Sequence, residues 1–222
     1  MAPPFRQALR RAALPIWQAI FRHPFILELG TGKLPREKFA FFIRQDFLYL
    51  QDFTRVLCLG GARAPDLATM DLFARHAHNA VLVERALHTG LARHLDLSLS
   101  SLERTVMAPV TQAYTRHLLT VAELGSLAEL SAAIHPCYWI YREVGQRLRR
   151  SRPRDLLYTR WIRAYAGKQF AALVQEQSRL LDRLARQATS AERGRMTEHF
   201  VTSSRYEYLF WEQAYQLRTW PV

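Results

Sequence analysis

Asp46, Cys137 and Glu207 each interrupt an apolar stripe of helical period, which makes them the first candidates for chemistry in this sequence. Along 36–58, Phe39, Phe42, Ile43, Tyr49, Leu50, Phe53 and Leu57 follow the spacing of one buried face. Asp46 sits on that face, three residues before Tyr49, whereas Asp52 falls with Arg44, Gln45 and Arg55 on the polar side. A carboxylate inside a helical bundle is costly without a partner, so Asp46 needs an internal hydrogen bond or a ligand. Between 126 and 150, Leu127, Leu130, Ile134, Cys137, Tyr141 and Leu148 make a second stripe, with Cys137 and Tyr141 one turn apart. Taken alone, a buried cysteine is most often a small hydrophobe. Pro136 stands directly before it, however, and frees the carbonyl of Ala132, a disturbance that can re-aim a side chain. Near the C-terminus, Met196, Phe200, Phe210, Ala214 and Leu217 share a face with Glu207, while Glu198 and Glu212 lie off it.

An acid, a carboxylate and a thiol directed inward from three helices suit chemistry on a flat heteroaromatic ring. Tyr49, Phe53, Tyr141 and Phe210 would stack on such a ring, and the carboxylates would hydrogen-bond its nitrogens and an exocyclic amine. A thiolate adds to an electron-poor ring carbon, and burial would raise Glu207 into the range of a general acid. A metal centre is the competing reading. Glu84 and His88 are four apart, and His76, His78, His117 and His135 lie elsewhere, but the paired Glu-x-x-His motifs of a di-iron bundle are missing. Glu84 and His88 read better as an internal pair, so no metal and no cofactor are expected.

The elements that must position these groups are helices. Helical period runs through 5–22, 36–58, 67–95, 109–122, 126–150, 155–187 and 190–217, with no strand alternation of note. Gly30-Thr31-Gly32-Lys33-Leu34-Pro35, Gly60-Gly61 to Pro65, and Arg152-Pro153 supply the breaks; Ser100 and Ser190 look like helix starts. The 222 residues hold 12 Phe, 9 Tyr and 5 Trp, too many aromatic side chains to leave in water, so disorder is excluded. No stretch is apolar for long enough to span a membrane. One all-α domain over 1–222 is therefore expected. Two cysteines, Cys58 and Cys137, make no disulfide framework and favour a reducing, cytoplasmic setting. The net charge of +12 comes from scattered residues, with one dense cluster at Arg147, Arg149, Arg150, Arg152 and Arg154 and only three lysines in the chain. No base-stacking aromatics interleave with that cluster, so nucleic acid is not the expected partner.

These residues also carry a resemblance. His23-Pro24-Phe25, Gln45-Asp46-Phe47-Leu48-Tyr49-Leu50, Tyr114 with His117, and Pro136-Cys137-Tyr138-Trp139-Ile140-Tyr141 occur in that order. Trp161-Ile162-Arg163-Ala164-Tyr165 and Ser203-Ser204-Arg205-Tyr206-Glu207-Tyr208-Leu209-Phe210-Trp211 follow. The chain resembles the TenA family of thiaminase II type enzymes, which have a haem-oxygenase-like all-α fold without haem, and the likeness runs from near residue 5 to near 217.

The resemblance implies that Cys137 is the nucleophile of a cysteine-bearing branch and Glu207 the proton donor. It implies that Asp46 binds the amino-pyrimidine edge, with Tyr49, Tyr114, Tyr141 and Tyr165 completing the lining. The implied reaction takes aminomethylpyrimidine, or thiamin, to hydroxymethylpyrimidine in thiamin salvage, and the implied assembly is a homotetramer. Phe47 departs from the family, which often carries a small polar residue there. Two other readings stand beside this one: a metal-dependent oxidase on the same fold, and a basic regulatory protein without catalysis.

Overall fold

The computed structural model describes residues 3–84, 95 and 98–222. Eleven α-helices and one π-helical turn are found among them: α1 (Phe5–Ala12), α2 (Leu14–Phe21), α3 (Pro24–Thr31), α4 (Arg36–Ala62), α5 (Leu67–Asn79), α6 (Leu99–Glu103), α7 (Pro109–Leu124), α8 (Leu127–Leu148), α9 (Leu156–Ala166), α10 (Lys168–Gln187) and α11 (Ser190–Gln216). The π turn, Ala80–Glu84, continues α5. No strand occurs among the described residues.

Most helices begin where their capping chemistry says they should. Asp66, Ser98, Ser126, Asp155 and Thr189 each accept a backbone N–H of the first turn through a side-chain oxygen. Ser98 rather than Ser100 therefore starts α6, and Thr189 caps the helix that opens at Ser190. Gly32 ends α3 with φ of 75°, a left-handed conformation that costs glycine nothing. Two of the expected segments are divided. The first is broken at Ala13, before the Pro15 that favours a helix start, and 155–187 is split at Gly167. The expected Glu84–His88 side-chain pair lies outside the described residues.

Helix α8 is the hub, packed against α7, α9, α10 and α11, while α4 packs against α5, α7 and α11. Its residues are buried on nearly every side, including Glu129, Ser131 and His135, so its apolar stripe is wider than a surface helix would need. Aromatic rings fill the space between α4, α8, α9 and α11. Phe42 stacks on Trp211 with centroids 4.9 Å apart, and Phe25, Trp161 and Tyr141 pack around that pair. Pro136 sits inside α8 without ending it.

Gln45 corrects the helical reading of α4. Placed on the polar side by spacing, it is buried, because the connection between α6 and α7 lies over it. Its amide donates to the Val106 carbonyl at 3.0 Å and accepts from Ala108 N at 2.8 Å. Phe47, two residues further along, buries against Leu102 of α6. No helix among the described residues is long and apolar enough to cross a membrane.

Candidate functional site

Four aromatic-rich helices and the α5 turn enclose a cavity of about 330 Å³. From α4 come Asp46, Tyr49, Leu50 and Phe53; from α8 come Cys137, Tyr138 and Tyr141; Tyr165 closes α9. The 3.6-residue period puts Asp46, Tyr49, Leu50 and Phe53 on one face of α4, and that face looks across the cavity at α8, where Phe53 packs on Tyr138. The cavity reaches solvent beside Gln169, an exposed residue at the start of α10.

Glu207 lies behind this wall, fully enclosed, with its Oε1 accepting from the Tyr114 hydroxyl at 2.8 Å. Burial pushes its carboxyl up from 4.5 to about 8; the Tyr114 hydrogen bond opposes that rise and the nearby Asp46 carboxylate adds to it. At neutral pH Glu207 therefore holds its proton. The hydroxyls of Tyr49, Tyr114 and Tyr141 are all pushed well above 10, by burial first and then by the surrounding Glu207 and Cys137. They act at neutral pH as hydrogen-bonding phenols rather than phenolates.

The structure brings most of the sequence-derived residues together. Asp46, Tyr49, Phe53, Cys137, Tyr141 and Tyr165 all line the one cavity. Tyr114 and Phe210 do not reach its surface. They stand behind Tyr49, with centroids 5.1 Å and 5.9 Å from its ring, and set where that ring sits. Phe210 also packs edge-on against Phe42, so it belongs to the aromatic core behind the wall. Cys58 is exposed and is not part of the cavity lining.

Spacing alone missed the far half of the cavity and the turn that holds Tyr165. His76, Asn79, Gln169 and Phe170 line that half, and Tyr138 faces it from the residue beside Cys137. A signal for His76 existed: it falls on the stripe of Phe73, Ala77 and Ala80 in α5. Arg142 and Gln146 reach from α8 to the carbonyl of Ala166, at 2.6 Å and 3.1 Å, and so tie the end of α9 in place. Gly145 makes that approach possible, since a Cβ there would stand 2.6 Å from the Tyr165 carbonyl carbon. No cluster of three His, Cys, Asp or Glu able to hold a metal ion occurs among the described residues.

Comparison with known proteins places this geometry in context. The chain is 39% identical to the aminopyrimidine aminohydrolase of Halalkalibacterium halodurans over 218 residues, covering 97% of each chain. It superposes on a TenA homologue from P. horikoshii OT3 with a TM-score of 0.90, at 31% identity over 96% of this chain and 99% of that one. A haem-oxygenase-like domain of unknown function from Shewanella denitrificans shares the fold alone, with a TM-score of 0.76 at 15% identity over 95% of this chain and 92% of the other. The model of the TENA/THI-4/PQQC family matches residues 10–217, which takes in every helix that lines the cavity, and the chain belongs to that family.

Proposed function

We propose that the protein is an aminopyrimidine aminohydrolase of the thiaminase II type. Its substrate is 4-amino-5-aminomethyl-2-methylpyrimidine, or thiamin, and its product 4-amino-5-hydroxymethyl-2-methylpyrimidine. One observation carries the reading: Cys137 and Asp46 face a single aromatic-walled cavity that has a neutral, buried Glu207 behind it.

In this reading Asp46 accepts hydrogen bonds from the exocyclic amine edge while Tyr49, Tyr141 and Tyr165 hold the ring. Cys137, as the thiolate, adds to an electron-poor ring carbon, and Glu207 gives its proton to a ring nitrogen. Addition breaks the aromatic sextet, and the ring's electron pair then expels the amine, or the thiazole, from the methylene carbon. Water adds to the exocyclic methylene so formed. Glu207 recovers its proton, the C–S bond breaks, and aromaticity returns with the thiolate. The Tyr114 hydroxyl keeps the Glu207 carboxyl aimed throughout.

Two further features fit the same reading. Neither Cys58 nor Cys137 is in a disulfide, which fits a reducing compartment such as the cytoplasm. A homo-oligomer, a tetramer by family likeness, belongs to the same reading. Incubation with the aminomethylpyrimidine, following ammonia and the alcohol together, tests the activity; equimolar release of both is expected. No ammonia above the uncatalysed rate would refute it.

A further inference from the structure

The cavity continues past Cys137 into a half walled by His76, Asn79, Tyr138 and Phe170, to which the steps above assign nothing. Its wall is continuous with the ring-binding half, since Tyr49 stacks on Phe53 at 5.5 Å and Phe53 packs on Tyr138 at 5.8 Å. Four polar side chains, joined by three contacts, run in file from it toward the surface. The Tyr138 hydroxyl lies 3.0 Å from His76 Nδ1, His76 Nε2 lies 3.3 Å from Glu176 Oε2, and Arg75 donates to that same oxygen at 2.9 Å.

The order of protons in this file follows from its outer end. Burial works against the Glu176 charge, but hydrogen bonds from Arg75 and His76 outweigh it and hold the carboxyl below its usual range. Glu176 is thus a carboxylate and can only accept, so His76 carries its proton on Nε2. His76 is neutral, because burial lowers it more than Glu176 raises it. Its Nδ1 is then an acceptor, and the Tyr138 hydroxyl donates to it. With that proton directed at His76, the Tyr138 oxygen presents itself to the cavity as an acceptor. This is the arrangement in which an imidazole, oriented by a carboxylate, draws a proton through a hydroxyl.

Resting on the hydrolase reading above, we propose that Tyr138 is a catalytic residue, and His76 and Glu176 its positioning partners, in activating the water that completes the reaction. The water oxygen forms a C–O bond to the exocyclic methylene carbon, and the methylene π pair returns to the ring. The water's proton passes to the Tyr138 oxygen as the Tyr138 proton passes to His76 Nδ1, giving an imidazolium held by Glu176. That proton then returns through Tyr138 to the released ammonia, which leaves as ammonium. The balance is aminomethylpyrimidine, as its ammonium form, plus water giving the alcohol plus ammonium.

Rapid-quench kinetics on aminomethylpyrimidine, reading ammonia and alcohol separately, test the relay. In wild type the two appear at one rate. In Tyr138→Phe the amine still leaves, so about one ammonia per site is expected in a fast first phase. Steady turnover then falls about 10²-fold or more, the range of a lost general base. The intact protein should gain the mass of the methylene-pyrimidine adduct, located on Cys137, and 2-mercaptoethanol, which needs little help to attack the methylene, should restore turnover to a thioether product. Glu176→Gln, half-exposed at the outer end, should show the same first phase with a smaller, about tenfold, loss, and it reads the relay even where Tyr138→Phe fails to fold. Unchanged turnover in Glu176→Gln and in a folded Tyr138→Phe overturns the proposal, as does ammonia falling in step with alcohol and no first phase. Wild type that releases no ammonia would instead refute the hydrolase reading itself.

Discussion

Replacing Glu207 by glutamine isolates the one proton that the proposed mechanism places at a stated atom. The glutamine keeps the shape of the neutral acid and can still accept from Tyr114, but it has no acidic proton to give. Loss of a general acid costs about 10²–10⁴ in rate, so kcat should fall by that much. Affinity for the product pyrimidine should fall only about tenfold, since Asp46 and the aromatic wall remain. The wild-type rate should also decline as pH rises through about 8, where Glu207 loses its proton, and this limb should vanish in the variant.

The same carboxyl makes a prediction about stability. Its folded value, about 8, is above the ordinary carboxyl value of 4.5, so between those values the folded chain holds a proton that the unfolded chain has released. Stability must then fall as pH rises through that window, at ~1.4 kcal/mol for each pH unit, to a total on the order of 4–5 kcal/mol above pH 8. Glu207→Gln lacks this loss and should gain on wild type in chemical denaturation between pH 5 and pH 8. Parallel stability curves across that range, together with an unchanged pH–rate profile, would show that Glu207 is an ordinary ionised carboxylate and that the acid lies elsewhere.

Cys137→Ser should lose several orders of magnitude in turnover while folding normally, because a hydroxyl is a far weaker nucleophile than a thiol at neutral pH. Cys58→Ser should turn over like wild type, and equal losses in the two would make Cys137 structural. Activity should survive exhaustive chelation; loss with EDTA that iron or manganese reverses would favour the oxidase reading. Gly145→Ala should push the turn bearing Tyr165 off α8, costing about 1–3 kcal/mol for overpacking. Calorimetry should read this as a melting point lower by roughly 2–12 °C, with a raised KM. Hydroxymethylpyrimidine phosphate should bind much more weakly than the unphosphorylated alcohol by calorimetric titration, and equal affinity would contradict the charge of the cavity.

What the sequence shows of the site depends on which kind of position each residue holds. Asp46, Cys137 and Glu207 were legible because a polar group on an apolar helical face is an energetic anomaly, visible from spacing alone. Tyr114 and Phe210 were legible only as aromatic residues near the site, and the structure puts both behind Tyr49. Gln45 was misplaced because helical period reports only the helix's own neighbours, whereas the connection that buries it arrives from about sixty residues away. His76 and Arg142 escaped for a similar reason. Their partners, Tyr138 and the Ala166 carbonyl, lie on other helices, and no local pattern encodes such a pairing. The division at Gly167 does leave a mark in the spacing: counted through as one helix, Leu157, Trp161 and Tyr165 would fall on the face opposite Val174, Leu181 and Leu184.

The distribution of charge ties the fold to the proposed substrate. The chain carries 31 Lys and Arg, yet none is among the described residues lining the cavity, where Asp46 is the acidic side chain. The arginines are used between helices instead. Arg6 pairs with Asp182, Arg10 with Glu143 and Arg195 with Glu129, while Arg63 caps the end of α7 by donating to the carbonyls of Ala122 and Gly125. Those roles fix helix against helix and keep guanidinium groups on the outside of the bundle. A cavity whose described lining offers one carboxyl and no Lys or Arg, with a neutral acid behind it, disfavours anionic ligands and favours an amino-bearing ring. On the proposed reading, the low-dielectric enclosure that keeps Glu207 protonated would also disfavour a phosphate, so that selection of the substrate and supply of the proton would share one physical cause.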